Sequence, residues 1–467
     1  MAVVGGAGCG SSSSPSATDA SVDAAAHPGD ASMTAPDAAI DAGGATGICQ
    51  DRDGDRLTLT GYRALDGQQR VTGLRDTTLG VPCSYRQIDG KWYCTVFHPT
   101  FYRDSDCTDP VGHTPSDTLP RYNVIDSPAC DIEETHEVYE VGDDLPLTDT
   151  YYLKSPACVP VTNPSGHIYE LGAKVDPSVA YVSATLTTVG SGRVKAQRFD
   201  GSDGSQRCFW AYDDRLFMDT ELDTPCSPMV DATDTLRCAP SSINAYVTEA
   251  ATDPDCSALT PVAQTFCVPN ARFSRRPIAD DATCPPSQEA IALGDPITVY
   301  GDGSGMCTEL SGTYRALGDV VPSESLVALT TEWVGSGRLQ QLVYEAPGGA
   351  RAFSPTWRDT QLGTECYPST TSDADRVICQ PNSLPVTTAY IDAGCTTQRQ
   401  LAVVDADDCD THSFVVLNDG TVHEVGAVFS DPVYTGSPGS CSVIDRPDAT
   451  YYEIGAVVDG LAEFTRF

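Results

Sequence analysis

Leu186-Thr-Thr-Val-Gly-Ser-Gly-Arg-Val194 and Leu329-Thr-Thr-Glu-Trp-Val-Gly-Ser-Gly-Arg-Leu339 are one segment written twice, with Arg193 and Arg338 145 positions apart. A second segment recurs three times, as Asp76-Thr-Thr-Leu-Gly-Val-Pro-Cys83, Asp219-Thr-Glu-Leu-Asp-Thr-Pro-Cys226 and Asp359-Thr-Gln-Leu-Gly-Thr-Glu-Cys366. A cysteine follows each copy at Cys94, Cys238 and Cys379, and Asp104-x-x-Cys107 then returns as Asp253-x-x-Cys256 and Asp392-x-x-Cys395. The units close on Tyr169-Glu-Leu-Gly172, Arg315-Ala-Leu-Gly318 and Tyr452-Glu-Ile-Gly455. Self-similarity at a long fixed period marks a repeat architecture. The period gives units at 49–185, 186–328 and 329–467, following an N-terminal stretch over 1–48.

Unit one is abbreviated, because no Leu-Thr-Thr segment fits between Tyr62-Arg-Ala-Leu65, which matches Tyr314-Arg-Ala-Leu317, and Asp76. Each unit also holds a fainter echo of its closing signature: Tyr139-Glu-Val-Gly142, Ile291-Ala-Leu-Gly294 and His423-Glu-Val-Gly426. Units of this size therefore contain smaller β-modules.

Local patterns read as antiparallel β throughout. Asp89-Gly90 sits between Cys83–Ile88 and Lys91–Cys94, the strongest short hairpin signal there is. Pro347-Gly-Gly349 turns the run Arg338–Glu345 back into Arg351–Trp357. No capped amphipathic window of helical length stands out. The expected fold class is all-β, with three homologous units of short antiparallel strands. A β-propeller-like closure is preferred to tandem β-sandwiches, because the repeated segment runs from one unit into the next without a spacer.

The 19 cysteines show no C-x-x-C, and the seven histidines show no metal-ligand spacing, so disulfides and an oxidising compartment are expected. Cys83–Cys94, Cys226–Cys238 and Cys366–Cys379 each flank a turn at nearly equal distance. The same logic pairs Cys130–Cys158, Cys284–Cys307 and Cys409–Cys441, with Cys256–Cys267 next and Cys395 as another partner for Cys409. The formal charge is −37, from 28 Lys plus Arg against 65 Asp plus Glu. That balance excludes a nucleic-acid partner, since a polyanion would be repelled.

Val3-Val-Gly-Gly-Ala-Gly8, then Cys9 and Gly-Ser-Ser-Ser-Ser-Pro15, resembles the processing site of a bacterial lipoprotein. The resemblance implies lipidation at Cys9 and a membrane contact by lipid anchor only. Residues 10–48 carry Asp19, Asp23, Asp30, Asp37 and Asp41 among Ala, Pro and Gly with no Lys or Arg. Such a stretch is expected to be a self-repelling tether, similar to those of surface lipoproteins. An outer-membrane or cell-surface lipoprotein is the expected location, with the periplasm as second choice.

Candidate chemistry is sparse. Asp51, Asp53 and Asp55 alternate and could converge on calcium, the sole cofactor considered, although the twelfth position holds Tyr62 instead of a bidentate Glu. The recurrent Asp76, Asp219 and Asp359, like Asp104, Asp253 and Asp392, read as turn-closing carboxylates, because catalysis needs one asymmetric constellation and not three equal copies. No G-x-S-x-G occurs, and Gly301-Asp-Gly-Ser-Gly305 opens no helix, so no catalytic residue is assigned. Ser202-Asp-Gly204 ahead of Phe209-Trp210 resembles a fragment of the aspartate box of sialidase propellers. Arg272-Phe-Ser-Arg-Arg-Pro277 is a basic cluster on an acidic chain, the first place to look for a ligand, though arginines paired with nearby carboxylates explain it better. The expected function is an exported, non-catalytic β-repeat lipoprotein that binds a protein or glycan or serves the envelope structurally. The alternative is an exported propeller-type hydrolase acting on glycans or peptides.

Overall fold

Alternating burial along most of the chain puts one side of each short segment in a core and the other in water, the period of a strand. The computed structural model accordingly contains sheets joined by tight turns, with one four-residue helix, Pro177–Ala180, and one 3-10 turn, Ser323–Ser325. It describes residues 49–467 except 97–99, 116–118, 126–136, 147–149, 155–156, 162–164, 210–215, 241–244, 266–270, 279–286, 304–305, 311, 372–375, 406–411, 445 and 447–448. Cys9, the tether, Cys130, Trp210, Cys267, Cys284 and Cys409 lie outside the described residues.

Each unit has two parts. The first is a meander of strands in a sixteen-stranded sheet shared by all three units. Unit one contributes Leu57–Ala64, Gln69–Asp76, Val81–Ile88 and Lys91–Thr95. Unit two contributes Ser183–Val189, Val194–Gly201, Phe217–Asp219, Thr224–Val230 and Leu236–Pro240, with Gln206–Cys208 as a side branch. Unit three contributes Thr330–Val334, Leu339–Ala346, Ala350–Asp359, Thr364–Thr370 and Val377–Pro381.

The expected hairpins are present. Asp89 and Gly90 both have positive φ, 48° and 75°, as a two-residue turn requires between strands of right-handed twist. The strands around Pro347–Gly349 pair from Gln341↔Trp357 to Ala346↔Ala350, with one bulge.

Units join through equivalent contacts. Ser183–Val189 pairs with Lys91–Thr95, and the Cys94 N–H donates to Val182 O at 2.9 Å. Ala328 bridges Arg237, and the Cys238 N–H donates to Val327 O at 2.8 Å. Glu463–Arg466 pairs with Val377–Pro381, and the Cys379 N–H donates to Ala462 O at 2.8 Å. Glu463–Arg466 also pairs with Leu57–Ala64, in register Tyr62↔Arg466 and Ala64↔Phe464. It thereby fills in unit one the place that the Leu-Thr-Thr strands fill in the other two.

The second part of each unit is a smaller sheet that follows the meander. In unit two, Ala245–Ala251 pairs with both Leu259–Thr265 and Phe273–Pro277, and with Gln288–Ile297 and Thr313–Val320 these strands close a five-stranded barrel. Unit three repeats the order with its first strand broken at Pro385 into Ser383–Leu384 and Val386–Tyr390. The doubled glycine signature finds its reason here. Its two copies are adjacent, strongly bulged strands, Glu137–Leu145 with His167–Lys174, Gln288–Ile297 with Thr313–Val320, and Val422–Phe429 with Ala449–Val457. A Cβ on Gly426 would lie 2.7 Å from Glu453 O, and one on Gly455 2.7 Å from Glu424 O, so a side chain at either position would push the strands apart.

Tyr62-Arg-Ala64 and Tyr314-Arg-Ala316 occupy different elements, a meander strand and a barrel strand, so their likeness does not mark equivalent positions.

Seven disulfides join described residues. Cys83–Cys94, Cys226–Cys238 and Cys366–Cys379 cross the expected hairpins, with Cα atoms 5.3 Å apart in each. The others correct the expected pairing. Cys158 bonds Cys107, Cys307 and Cys256 are joined, and Cys441 bonds Cys395, so Cys130–Cys158, Cys284–Cys307, Cys409–Cys441 and Cys256–Cys267 are not pairs. The reason is geometric. Cys107, Cys256 and Cys395 hold left-handed φ near 50° in tight turns whose backbone is capped by Asp104, Asp253 and Asp392. Each such turn faces a barrel hairpin from the far end of its unit. Cys49–Cys208 spans 159 positions and staples unit one to unit two. This cross-linking fits an oxidising, extracytoplasmic environment. No helix among the described residues is long and apolar enough to cross a membrane.

Candidate functional site

The recurrent Asp-Thr pair is a joint between elements. Asp76, Asp219 and Asp359 are completely buried, and each faces an arginine from the start of its own unit, Arg56, Arg193 and Arg338. The pairs are bidentate: Arg193 Nε and Nη2 each lie 2.8 Å from an Asp219 oxygen, and Arg338 Nε and Nη2 lie 2.8 and 2.7 Å from Asp359. Asp219 Oδ1 also accepts the N–H groups of Glu221 and Leu222, closing its turn as the sequence suggests. The neighbouring Thr77, Thr220 and Thr360 hydroxyls donate back to the carbonyls of Arg56, Arg193 and Arg338. Each guanidinium then reaches a carbonyl of the segment that enters the following unit: Ala180, Ser325 and Gly460, at 2.7, 3.0 and 2.7 Å. These arginines were absent from the sequence-based set. Arg193 and Arg338 sit inside the repeated segment itself, which is the signal that could have found them.

The loop Asp51–Asp55 does a related task. The Asp51 carboxylate accepts from the Cys208 N–H at 2.7 Å and pairs with Arg207 at 3.1 Å, while Asp53 accepts from the Leu59 N–H at 2.6 Å. The Asp51 and Asp53 carboxylates are directed to different partners, and no three His, Cys, Asp or Glu residues group as metal ligands among the described residues. Arg52 and Gln206 exchange backbone hydrogen bonds, and the Asp55 N–H donates to Asp203 O. Asp203 answers across the same contact, accepting the N–H groups of Arg56 and Leu57 at 3.1 and 2.7 Å. Burial acts to raise its pKa, but those bonds and two from Ser205 hold Asp203 below the usual carboxylate range. The aspartate-box fragment is therefore a docking turn.

The same docking runs through the other two junctions. Ser191 of the unit-two Gly-Ser-Gly donates from its hydroxyl to Gly348 O at 3.1 Å on the turn of unit three. Gly335 and Gly337 of unit three lie against Gln68 and Asp66 on the turn of unit one.

The basic cluster is also structural, on a strand and not in a loop. Arg275 donates to Ser227 O, Ser227 Oγ and Ala239 O at 3.1, 2.6 and 2.7 Å, tying the barrel to the meander of unit two. Arg276 pairs with Glu289 at 2.6 Å, and Arg272 donates to Leu222 O at 3.1 Å.

Two cavities accompany these joints. One of about 50 Å³ lies where the three units meet, lined by Asp51, Arg70, Arg207, Phe209, Gln341 and Ser354. That volume suits one or two waters. The other, about 270 Å³, is a half-open groove of unit three between Arg376, Asp419, Thr421, Val422, Val458 and Leu461. Thr421 donates its hydroxyl and N–H to Asp419, holding that carboxyl below its usual range, and Arg376 pairs with Glu463 at 2.7 Å on the groove's rim. Apolar side chains form its floor and polar groups its rim, at a volume just below the usual size of ligand sites.

The family model described as "Family of unknown function (DUF7481)" matches residues 42–457. No curated protein and no solved structure matches the chain.

Proposed function

We propose that this chain, which belongs to the DUF7481 family of unknown function, is an exported, membrane-tethered β-repeat lipoprotein with a non-catalytic, binding or structural role at the cell envelope. Its three units form one propeller-like ring, anchored through Cys9 and held out by the acidic tether. The observation that carries this reading is the use of the recurrent polar residues. Each Arg–Asp–Thr set, each capped cysteine turn and the arginine cluster are engaged in holding element to element. A cross-linked ring on an acidic tether is a presentation scaffold, and the groove beside Arg376 and Asp419 is its ligand cleft, for a protein segment or glycan.

The test is mass spectrometry of the protein from its native envelope, combined with protease shaving of whole cells. Acylated Cys9 as the first residue and loss of the folded part on shaving are expected. An unmodified Cys9 in soluble material would end the lipoprotein reading.

A further inference from the structure

The ring of contacts is not equally continuous. Ser183–Val189 and Thr330–Val334 run through their Gly-Ser-Gly turns directly into the next strand of the same unit. No turn joins Glu463–Arg466 to Leu57–Ala64, and no disulfide among the described residues crosses that junction, whereas Cys49–Cys208 staples the junction between units one and two. The seam is held by a short ladder, by reciprocal Gly61 and Phe467 backbone bonds of 3.1 Å, by Arg63 over the Phe467 ring and the Thr465 hydroxyl donating to Arg63 O at 3.3 Å, and by one buried anchor side chain. That anchor is Phe464, 4% exposed, edge-on to the fully buried Trp357 at 5.2 Å and near Tyr62 at 6.2 Å.

We propose that the slot between Leu57–Ala64 and Val377–Pro381 is a binding site for an extended peptide with an aromatic anchor, and that segment 460–467 is its resident, exchangeable strand. A strand lying between two edges supplies both with ladder hydrogen bonds, and a single aromatic pocket sets its register, the logic of recognition by strand addition. Two charged contacts help to orient the resident, Arg376 to Glu463 at 2.7 Å and Arg338 to Gly460 O at 2.7 Å. The partner that fits best is the same segment from a second copy of this chain, which would give strand-exchanged assemblies.

The experiment uses the full chain. A fluorescent peptide of sequence Gly-Leu-Ala-Glu-Phe-Thr-Arg-Phe, matching 460–467, is added in excess and its uptake followed by anisotropy. Saturable uptake is expected, lost when the peptide carries Phe464→Ala. Arg63 and Thr465 are exposed and directly opposed, so oxidised R63C/T465C locks the seam and is expected to abolish uptake, which returns on reduction. Amide exchange adds a reading that needs no variant: protons of 463–466 should exchange roughly tenfold faster than those of 183–189 and 330–334. No uptake by the unlocked chain, uptake indifferent to Phe464→Ala or to the lock, or equal exchange at the three junctions would each overturn the proposal.

Discussion

The shared meander sheet and the smaller sheets that follow it behave differently as repeats. In the meander the three units agree to the single hydrogen bond: the same Arg–Asp pair, the same threonine, the same reach to the next unit. Inside the smaller sheets they diverge. The strand position occupied by Asn123 in unit one holds Ser274 in unit two and Val415 in unit three, given the pairings Asn123↔Tyr139, Ser274↔Ile291 and Val415↔His423. A residue in the meander must satisfy a neighbouring unit as well as its own, whereas the interior of a smaller sheet answers only to itself. Divergence in this chain is therefore to be sought in the smaller sheets and at the seam.

Perturbations of the meander, in descending order, test how far that shared constraint goes. Removing Cys49–Cys208 as C49A/C208A frees a loop of 159 positions, and the chain-entropy relation gives a loss of about 5 kcal/mol. C83A/C94A, closing only 11 positions, should lose about 3 kcal/mol by the same relation, so the two thermal midpoints should fall in that order. Equal shifts would mean that loop size does not govern these cross-links. Asp359→Ala removes the bidentate acceptor of Arg338, whose side chain is 29% exposed and can turn to water, so the loss should be about 2 kcal/mol. Asp76→Ala and Asp219→Ala should match it closely in calorimetry, since the sets are equivalent. One tolerant copy would show that its junction is not under the common constraint.

A smaller effect separates a joint found once from those found three times. Asp231 accepts from Thr233, Thr235 and Arg237, and the Arg237 guanidinium reaches Leu326 O on the segment entering unit three. Burial would raise the Asp231 carboxyl, yet these donors lower it to about 2. Because the folded value lies below the unfolded one, its stabilisation is full above about 4 and disappears as pH falls through about 2. Acid titration of Asp231→Asn, followed by circular dichroism, should show a flatter stability curve between those limits than the parent chain.

How much of this was readable in advance depends on sequence distance. Hairpin disulfides were legible because a turn signal sits midway between Cys83 and Cys94 or Cys366 and Cys379. The barrel disulfides, 46 to 51 positions apart, were not, because nothing local says which turn will face which hairpin. Asp219 was visible as recurrent, but its partner Arg193 is 26 residues earlier and only the pairing of their strands brings them together. The strand missing from unit one could not be found near unit one, since Ala64 pairs with Phe464 from the other end of the fold. The arginine cluster was readable as structural, as Arg276 with Glu289 bears out, but the partners of Arg275 were not. Charge on an acidic chain attracts notice, while the carbonyls that Arg275 satisfies carry no sequence signature.

The smallest expected effect is the sharpest on the smaller sheets. Asn123 is fully buried, and neither its amide nitrogen nor its amide oxygen has a hydrogen-bond partner. Val415, in the equivalent place, packs in an apolar cluster with Leu384 and Ala402. An unpaired buried amide costs about 1–3 kcal/mol, so Asn123→Val, copying unit three, should raise stability by roughly 1 kcal/mol after the packing adjusts. A higher denaturation midpoint with unchanged transition slope would show that unit one merely tolerates a polar interior. A lower midpoint would mean that the amide has a guest when the protein is in solution, water or a small neutral ligand. The small sheet of unit one would then be the place where the repeat was broken for a purpose.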